Sequence, residues 1–358
     1  VSGTNFEETN NESVPSLRPH SLVPGSHSTS SAMKNEKLFM ILAYPIIIIV
    51  ALVAFVFLAT PIVLYSFPQI HKLFIASNFH ITPETDIDWH LANRRQFYIS
   101  IGSSTVSVWH FIPEEGEPSK DPQKYLDALQ KYKIVLYFHS PESRRNVDKF
   151  ADFCRVLLNE KIQILFFDYK GFANSAGDTT ISGAVEDTRT MYEWLRRRAP
   201  EQEIHFWAHG LGGSIATAAL KPLLEDGQEI QSLVLENPIP NTITMLKDKF
   251  FVVRMYDSIL PSSFFNTSLN IVDLNFNTGR ALATANVPTL VLNGEANGEA
   301  TSNARRVVKV VRKHRDFVFH IEWRCSKVKE WPGAQASKSE LQQIITGFHH
   351  ATATFWGP

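Results

Sequence analysis

Cysteine is scarce in this sequence, and neither sign of charge is in excess. The two cysteines, Cys154 and Cys325, cannot form a disulfide framework, and their spacing fits no zinc motif. The 35 basic residues nearly balance the 36 acidic ones, which gives no reason to expect a strongly charged partner. We therefore expect no cofactor, no metal site and no nucleic-acid partner.

Charged side chains are entirely missing from residues 38–68, which form one long apolar run. A helix needs about 20 apolar residues to cross the hydrocarbon core of a bilayer, and this run is longer. A buried helix of a soluble protein would rarely stay uncharged over this length, and a signal peptide would be shorter and closer to the start. The sequence predicts a transmembrane helix over 38–67, with Pro45 and Pro61 near its ends.

The residues around this helix indicate an orientation. Lys34 and Lys37 precede it, whereas Lys72 is the nearest lysine behind it, so the positive-inside rule places the N-terminus in the cytosol. Residues 1–37 are rich in Ser, Asn, Thr and Pro, and they are predicted to be a disordered cytosolic tail. The remainder would then be lumenal or extracellular, where Asn266 in the triplet Asn-Thr-Ser is a candidate glycosylation site.

Beyond this helix, short apolar runs alternate with segments whose apolar residues recur every three or four positions. Continuous apolar strands indicate a mostly parallel sheet that is covered by helices on both faces, a doubly wound α/β fold. We assign 68–130 to a juxtamembrane segment with the first strands and 131–352 to the core, with a helical lid insertion at about 239–285. The predicted strands are 105–112, 133–139, 162–169, 203–209, 232–238, 288–294 and 317–323, and the predicted helices are about 145–159, 183–198, 211–225, 302–314 and 339–349.

One stretch, "IHFWAHGLGGSIATAAL" at 204–220, predicts a strand, a sharp turn and a helix. This is the context of the nucleophile elbow G-x-S-x-G, but Gly210 stands at the position of the serine. A second interpretation is a dinucleotide-binding loop with Glu236 as the acid that binds the ribose. The last small residue of that motif would fall on Ile215, however, and the turn follows several strands rather than the first.

Residues from about 50 to 350 resemble a known family. The motifs that carry the resemblance are "VWHFIP", "VLYFHS", "FFDYKGFANSAG", "HFWAHGLGG", "LVLENPIPN" and "TLVLNGEANGEA", in the order that the family has them. The family consists of the single-pass membrane α/β hydrolases related to α/β-hydrolase domain-containing protein twelve, which act on lysophosphatidylserine and monoacylglycerol. The resemblance implies an α/β-hydrolase fold, an endoplasmic-reticulum membrane, and a cleft for a lysophospholipid or a monoacylglycerol.

The catalytic residues that the resemblance would carry over are missing. Gly210 has no nucleophilic hydroxyl, Asn297 stands at the position of the acid, and Pro332 lies near that of the base. In the oxyanion hole, Pro141 replaces a residue whose N–H donates, so the amide of Leu211 is the donor that remains. Loss of the nucleophile alone lowers kcat by about a millionfold. We therefore expect no catalytic residue.

A substitute nucleophile would have to come from another position. Ser214, one helical turn past the elbow, is the candidate, although a small residue there more often packs a helix against a sheet. We expect His209 and Glu236 to be structural, and Asp168 and Tyr169 to anchor the loop after their strand. The sequence favours an inactive membrane protein that binds lipid or another membrane protein. The alternative is an active lipid or ester hydrolase with a relocated nucleophile, and a dinucleotide-binding protein is less favoured.

Overall fold

The computed structural model describes residues 27–67, 69–70, 93–101, 104–113, 119, 121–140, 147–171, 175, 180–294, 298–315 and 318–323. The chain divides into two compact units, with the boundary after Thr60. The first unit contains most of one long helix, and the second contains a sheet with its surrounding helices.

The long helix is α1 (His27–Ser66), and its central part is apolar on every side. The stretch Phe39–Val63 is long and apolar enough to cross a membrane, and its large side chains, such as Ile48 and Leu58, are exposed. Exposing such a helix to water is unfavourable, because each Å² of apolar surface that is not buried costs about 25 cal/mol. This helix is compatible with a single-pass membrane protein.

An eight-stranded sheet forms the centre of the second unit, in the order β1-β2-β4-β3-β5-β6-β7-β8. Strands β3 to β8 run parallel to one another, whereas β1 and β2 form an antiparallel edge, in which β2 pairs antiparallel with β4. The strands are β1 (Arg94–Ile101), β2 (Ser104–Phe111), β3 (Lys133–Phe138), β4 (Ile162–Phe167), β5 (Ile204–His209), β6 (Ser232–Glu236), β7 (Thr289–Gly294) and β8 (Val318–Trp323).

Helices follow most of the parallel strands, as the alternating pattern predicts. Polar side chains cap several of them: Thr180, for example, accepts a hydrogen bond from the N–H of Gly183 at 3.0 Å. Between β6 and β7 the predicted insertion is a run of short helices rather than another strand. The helices of the second unit are α2 (Pro122–Lys131), α3 (Val147–Asn159), α4 (Ile181–Arg198), α5 (Leu211–Glu225), α6 (Thr242–Lys249), α7 (Phe251–Asp257), α8 (Ser262–Ile271), α9 (Thr278–Ala283) and α10 (Gly298–Val311).

The core lies on both faces of the sheet, because successive residues of the central strands point to opposite sides. Leu136 and Phe206 belong to one buried cluster, and Tyr137 and Trp207 belong to the other. The central strands are buried along nearly their whole length, which explains their continuous apolar sequences. This packing holds the carboxyl ends of β3, β5 and β6 side by side.

One buried polar pair in this core links stability to pH. His110 on β2 is fully buried, and its Nε2 lies 2.7 Å from Oε1 of Gln163 on β4. The Gln163 amide nitrogen donates to the carbonyls of Ala128 and Tyr132, so its oxygen is free to accept from the histidine ring. Because burial removes water from the charged imidazole, the pKa of His110 is lowered from 6.5 to about 4.

The pH dependence that follows can be measured. The unfolded chain binds a proton at His110 below pH 6.5, whereas the folded chain does so only near pH 4. The contribution of buried, neutral His110 to the free energy of unfolding is therefore complete above pH 6.5. It is lost as the pH falls to about 4, which lowers the free energy of unfolding by about 3 kcal/mol. Urea unfolding of the His110→Gln variant should show a weaker pH dependence over this interval. Burial also lowers the pKa of His205 and of His320, but both remain in the variant, so equal slopes would contradict this assignment.

Candidate active site

The sharp turn between β5 and α5 has the backbone of a nucleophile elbow. Gly210 has φ +53° and ψ −118°, a conformation that residues with a Cβ rarely adopt. Its N–H donates to the carbonyl oxygen of Glu236 on the neighbouring strand at 2.9 Å. Leu211 begins the helix and is buried, with its N–H in the first turn, where a helix has no acceptor of its own. The turn therefore keeps its shape while its central residue carries no side chain.

Close packing against the end of β3 explains the next glycine. A Cβ built on Gly212 would lie 2.2 Å from the carbonyl oxygen of Phe138 and 2.8 Å from that of His139. Both contacts are with backbone atoms, which cannot rotate away as a side chain can. Gly212 thus lets the start of α5 lie directly on the end of β3.

The space beside the elbow contains a different serine. A Cβ built on Gly210 would lie 3.1 Å from both Cβ and Oγ of Ser140, which follows β3 and is only 7% exposed. In a serine hydrolase the nucleophilic side chain would start from that Cβ. The hydroxyl nearest this point therefore belongs to the loop after β3 and not to the elbow.

Ser140 was not among the predicted site residues. The resemblance implies the motif His-Gly-Asn after this strand, where the sequence has His139-Ser140-Pro141, so a serine stands at the glycine position. Ser140 and Gly210 are separated by 70 residues in the sequence, and the pairing of β3 with β5 brings them together. Pro141 itself lies outside the described residues.

Buried polar residues fix the loop that carries Ser140. The ring of His139 stacks on that of Tyr169 with centroids 4.7 Å apart, and Nε2 of His139 lies 3.7 Å from Oδ1 of Asp168. The Tyr169 hydroxyl donates to the carbonyl oxygen of His139 at 3.3 Å. Burial raises the pKa of Tyr169 well above its usual value, so this hydroxyl keeps its proton and remains a donor. Asp168 and Tyr169 thus contact the residue that follows β3, and the Asp168 carbonyl also accepts a hydrogen bond from the Ser175 hydroxyl at 2.7 Å.

Ser214, the candidate substitute nucleophile, lies inside the protein. It is 1% exposed, and its Oγ is 2.9 Å from Oγ1 of Thr278 on α9. Thr278 in turn donates to the carbonyl oxygen of Ile239 at the start of the insertion. This chain of hydrogen bonds connects α5 to the insertion.

Residues near the positions of the acid and the base are only partly described. Asn297 and Pro332 both lie outside the described residues. The last buried side chain of β7, Asn293, donates to Thr301 at 3.0 Å and has its Oδ1 2.7 Å from Nε2 of His320 on β8. Burial lowers the pKa of His320, which makes the ring neutral near pH 7. The Asn293 amide is thus closer to this nitrogen than the carboxylate of Glu322, which lies 3.9 Å away.

The other polar residues that were considered lie next to the turn. Glu236 is buried, and one of its carboxylate oxygens accepts from Nε1 of Trp207 at 3.4 Å. His209 is half-buried at the end of β5 and pairs in register with Glu236. Because the turn follows the fifth strand of the sheet, it has the position of a hydrolase elbow and not that of the first turn of a dinucleotide-binding fold.

The insertion carries the candidate glycosylation site. Asn266 is half-buried on α8, Thr267 is exposed, and Ser268 is fully buried. Asn266 also lines a polar surface cleft of about 420 Å³, together with Lys247 and Arg280. Modification of Asn266 stays a prediction.

Comparisons with known proteins support an α/β-hydrolase fold for the second unit. A family described as serine aminopeptidase, S33, matches residues 134–275. The lysophosphatidylserine lipase ABHD12 of Danio rerio is 25% identical over 253 residues, which cover 67% of this chain and 65% of that protein. ABHD12 of Rattus norvegicus is 26% identical, covering 64% and 54%, and protein ABHD12B of Homo sapiens is 28% identical, covering 56% of each. The chain thus spans about half to two thirds of the length of these relatives.

Solved structures support the fold alone, because their sequence identities are low. An esterase of Pyrococcus furiosus superposes with a TM-score of 0.54 at 14% identity, covering 76% of this chain and 95% of that one. An α/β hydrolase of Vibrio vulnificus superposes with a TM-score of 0.50 at 14% identity, covering 73% and 81%.

Proposed function

We propose that this chain is a membrane-anchored protein that binds lipid without hydrolysing it. Its α/β-hydrolase fold and its similarity to the ABHD12 lysophosphatidylserine lipases support this proposal. The ligand would be a lysophospholipid or a monoacylglycerol, and the acyl chain would supply most of the binding energy through apolar burial. Binding of another membrane protein is the related possibility.

The observation that carries the proposal is Gly210 at an intact elbow. Its positive φ keeps the strand, turn and helix of a serine hydrolase, while the atom that would attack an ester is absent. The members of a catalytic triad act as a unit, so this loss alone lowers kcat by about a millionfold. The fold can still bind a lipid after the nucleophile is lost, because burial of an acyl chain needs no nucleophile.

Three further positions support inactivity. Asn297 carries no charge to stabilise an imidazolium, and Pro332 has no side chain that could accept a proton. Pro141 lacks the N–H that an oxyanion hole requires, and loss of one such donor lowers the rate by about 100- to 1000-fold. These departures affect separate steps of ester hydrolysis, so restoring one of them would not restore the reaction.

The apolar stretch of α1 supports the anchoring. We propose that Phe39–Val63 crosses the bilayer once, with the N-terminal tail in the cytosol and the hydrolase-fold unit in the lumen of the endoplasmic reticulum. The orientation follows from Lys34 and Lys37 on one side, and the compartment follows from similarity alone. Glycosylation of Asn266 is expected in this orientation.

An active ester hydrolase is the second candidate function, and Ser140 is the observation that favours it. Its hydroxyl lies close to the place that a nucleophile on Gly210 would occupy. A nucleophilic serine needs a base within hydrogen-bonding reach. The histidine beside it, His139, is buried with its ring stacked on Tyr169, so inactivity remains the first proposal.

A lipid experiment tests the proposed function. The full-length protein in detergent would be incubated with lysophosphatidylserine and, separately, with a monoacylglycerol, and bound lipid and released fatty acid would be measured by mass spectrometry. The rat relative, which is named a lysophosphatidylserine lipase, is the positive control for release. We expect retained, intact lipid and no release above buffer. Release at a rate comparable to that of the relative would overturn the proposal, as would the absence of any bound lysophospholipid or monoacylglycerol.

A further inference from the structure

The helix α7 and the turn behind it expose an apolar stripe to solvent. Phe251 is 69% exposed and Ile259 is 64% exposed, with Met255, also exposed, between them. Positions four residues apart lie on the same side of a helix, and the hydrogen bond from the N–H of Ile259 to the carbonyl of Tyr256 continues the turn. We call Phe251, Met255 and Ile259 the α7 stripe.

The opposite side of the same helix faces the protein. Tyr256 is buried, and Val253 packs against the main core cluster. The helix is therefore fixed in place by one face, and the α7 stripe is not the result of an undocked helix. Because water disfavours a contiguous apolar surface of this kind, such a surface on a folded protein marks an interaction site.

Positive charge lies beside the α7 stripe. Lys249 and Arg254 are exposed, and one Arg254 nitrogen donates to the carbonyl oxygen of Lys247 at 3.2 Å. The side chain of Lys247 pairs with Asp257. Two carboxyl groups of this region interact with each other: the pKa of Glu299 is raised, chiefly by its hydrogen bond to Asp248. An apolar stripe with flanking cations is the pattern of a helix that lies in the headgroup region of a bilayer.

A contact within the second unit places the insertion close to the end of α1. The ring of Tyr65, in the last turn of α1, stacks on that of Phe264 on α8, with centroids 5.5 Å apart. Tyr65 is two residues beyond Val63, the end of the apolar stretch. Tyrosine is enriched where membrane helices leave the hydrocarbon, so a residue at this point would lie at the level of the headgroups. Through this contact α8, the helix after α7, touches the chain just beyond the apolar stretch.

We propose that the α7 stripe inserts into the surface of the bilayer that α1 crosses. This inference rests on the anchoring in the proposed function. Phe251, Met255 and Ile259 enter the boundary between headgroups and acyl chains, while Lys249 and Arg254 contact phosphate groups. The insertion then faces the lipid phase, from which a lysophospholipid or monoacylglycerol would come.

Fluorescent labels at single cysteines test this inference in the full-length protein. The variants Phe251→Cys and Ile259→Cys would carry the environment-sensitive dye NBD in vesicles of phosphatidylcholine with one quarter phosphatidylserine. Tyr98→Cys is the matched control, because Tyr98 is an aromatic residue on the edge strand β1 that is 57% exposed. Cys325 is replaced by serine in every variant. Cys154 is retained because it is buried, with a pKa raised by burial, and it should not react.

We expect the dye at positions 251 and 259 to emit at shorter wavelength than at 98, and to lose fluorescence when lipids carry a spin label near the headgroup. Emission and quenching equal to those at position 98 would overturn the inference. The same result is expected if the α7 stripe binds a protein instead of lipid, so that case also contradicts the inference. Alkaline carbonate extraction of the same vesicles separates this result from failure of the anchor. A protein that stays in the membrane without quenching contradicts the docking alone, whereas extraction from the membrane contradicts both.

Discussion

Alanine in place of Gly212 is expected to destabilise the hydrolase-fold unit by at least about 3 kcal/mol, and it should reduce the yield of folded protein. The added Cβ would lie 2.2 Å from the carbonyl oxygen of Phe138, which belongs to the backbone of a central strand. Relief would require α5 or β3 to move, and both are packed in the core. The free energy of unfolding in urea measures the effect.

The matched control is Gly298→Ala. A Cβ at Gly298, the first residue of α10, meets no atom within 4 Å. Alanine favours the helix over glycine by about 1 kcal/mol in helix interiors, so this variant should be as stable as the parent or slightly more so. If both alanine variants unfolded at the same urea concentration, the close approach of α5 to β3 would be contradicted.

Restoring serine at the elbow is expected to weaken the protein without restoring chemistry. The Gly210→Ser variant places a side chain at φ +53° and a Cβ 3.1 Å from the side chain of Ser140. Backbone strain of this kind costs about 1–3 kcal/mol. We expect a lower midpoint of urea unfolding and no reaction with a fluorophosphonate, because Asn297 and Pro332 still stand near the acid and base positions.

A double-mutant cycle separates the backbone strain from the contact with Ser140. In the Ser140→Gly background the Gly210→Ser change should cost about 1 kcal/mol less than in the parent, because the second side chain is gone. Ser140→Gly combined with Gly298→Ala is the control cycle, for which we expect additive free energies. Additivity in the first cycle as well would mean that Ser140 does not occupy the space beside the elbow.

The sequence was most informative about the parallel half of the sheet. The strands β3 to β7 are buried on both faces, so their apolar runs stand out from the polar segments between them. The edge strand β1 was not predicted, because it begins with the three polar residues Arg94, Arg95 and Gln96 and so has no continuous apolar run. Its partner β2 was predicted, as the strand 105–112. The helices following β3, β4 and β5 begin within two residues of the predicted positions.

The elbow was predictable from local sequence, but its surroundings were not. Two glycines after a strand and before a helix are enough to indicate a tight turn at Gly210. The contact between Ser140 and the elbow depends on which strands are neighbours in the sheet, and this order is not encoded near either residue. The same holds for Ser214, whose hydroxyl is bound by Thr278 from the far end of the insertion. Sequence spacing could therefore locate the site without showing which hydroxyls occupy it.

The most direct test of the proposed inactivity is labelling of the membrane-embedded, full-length protein with a fluorophosphonate, followed by mass spectrometry of the modified peptides. The rat lysophosphatidylserine lipase, treated in parallel, shows that the probe reacts under these conditions. The account predicts a labelled relative and no labelled serine in this protein. A modified serine at a stoichiometry similar to that of the relative would contradict it. Modification of Ser140 or Ser214 would then identify the relocated nucleophile of an active hydrolase.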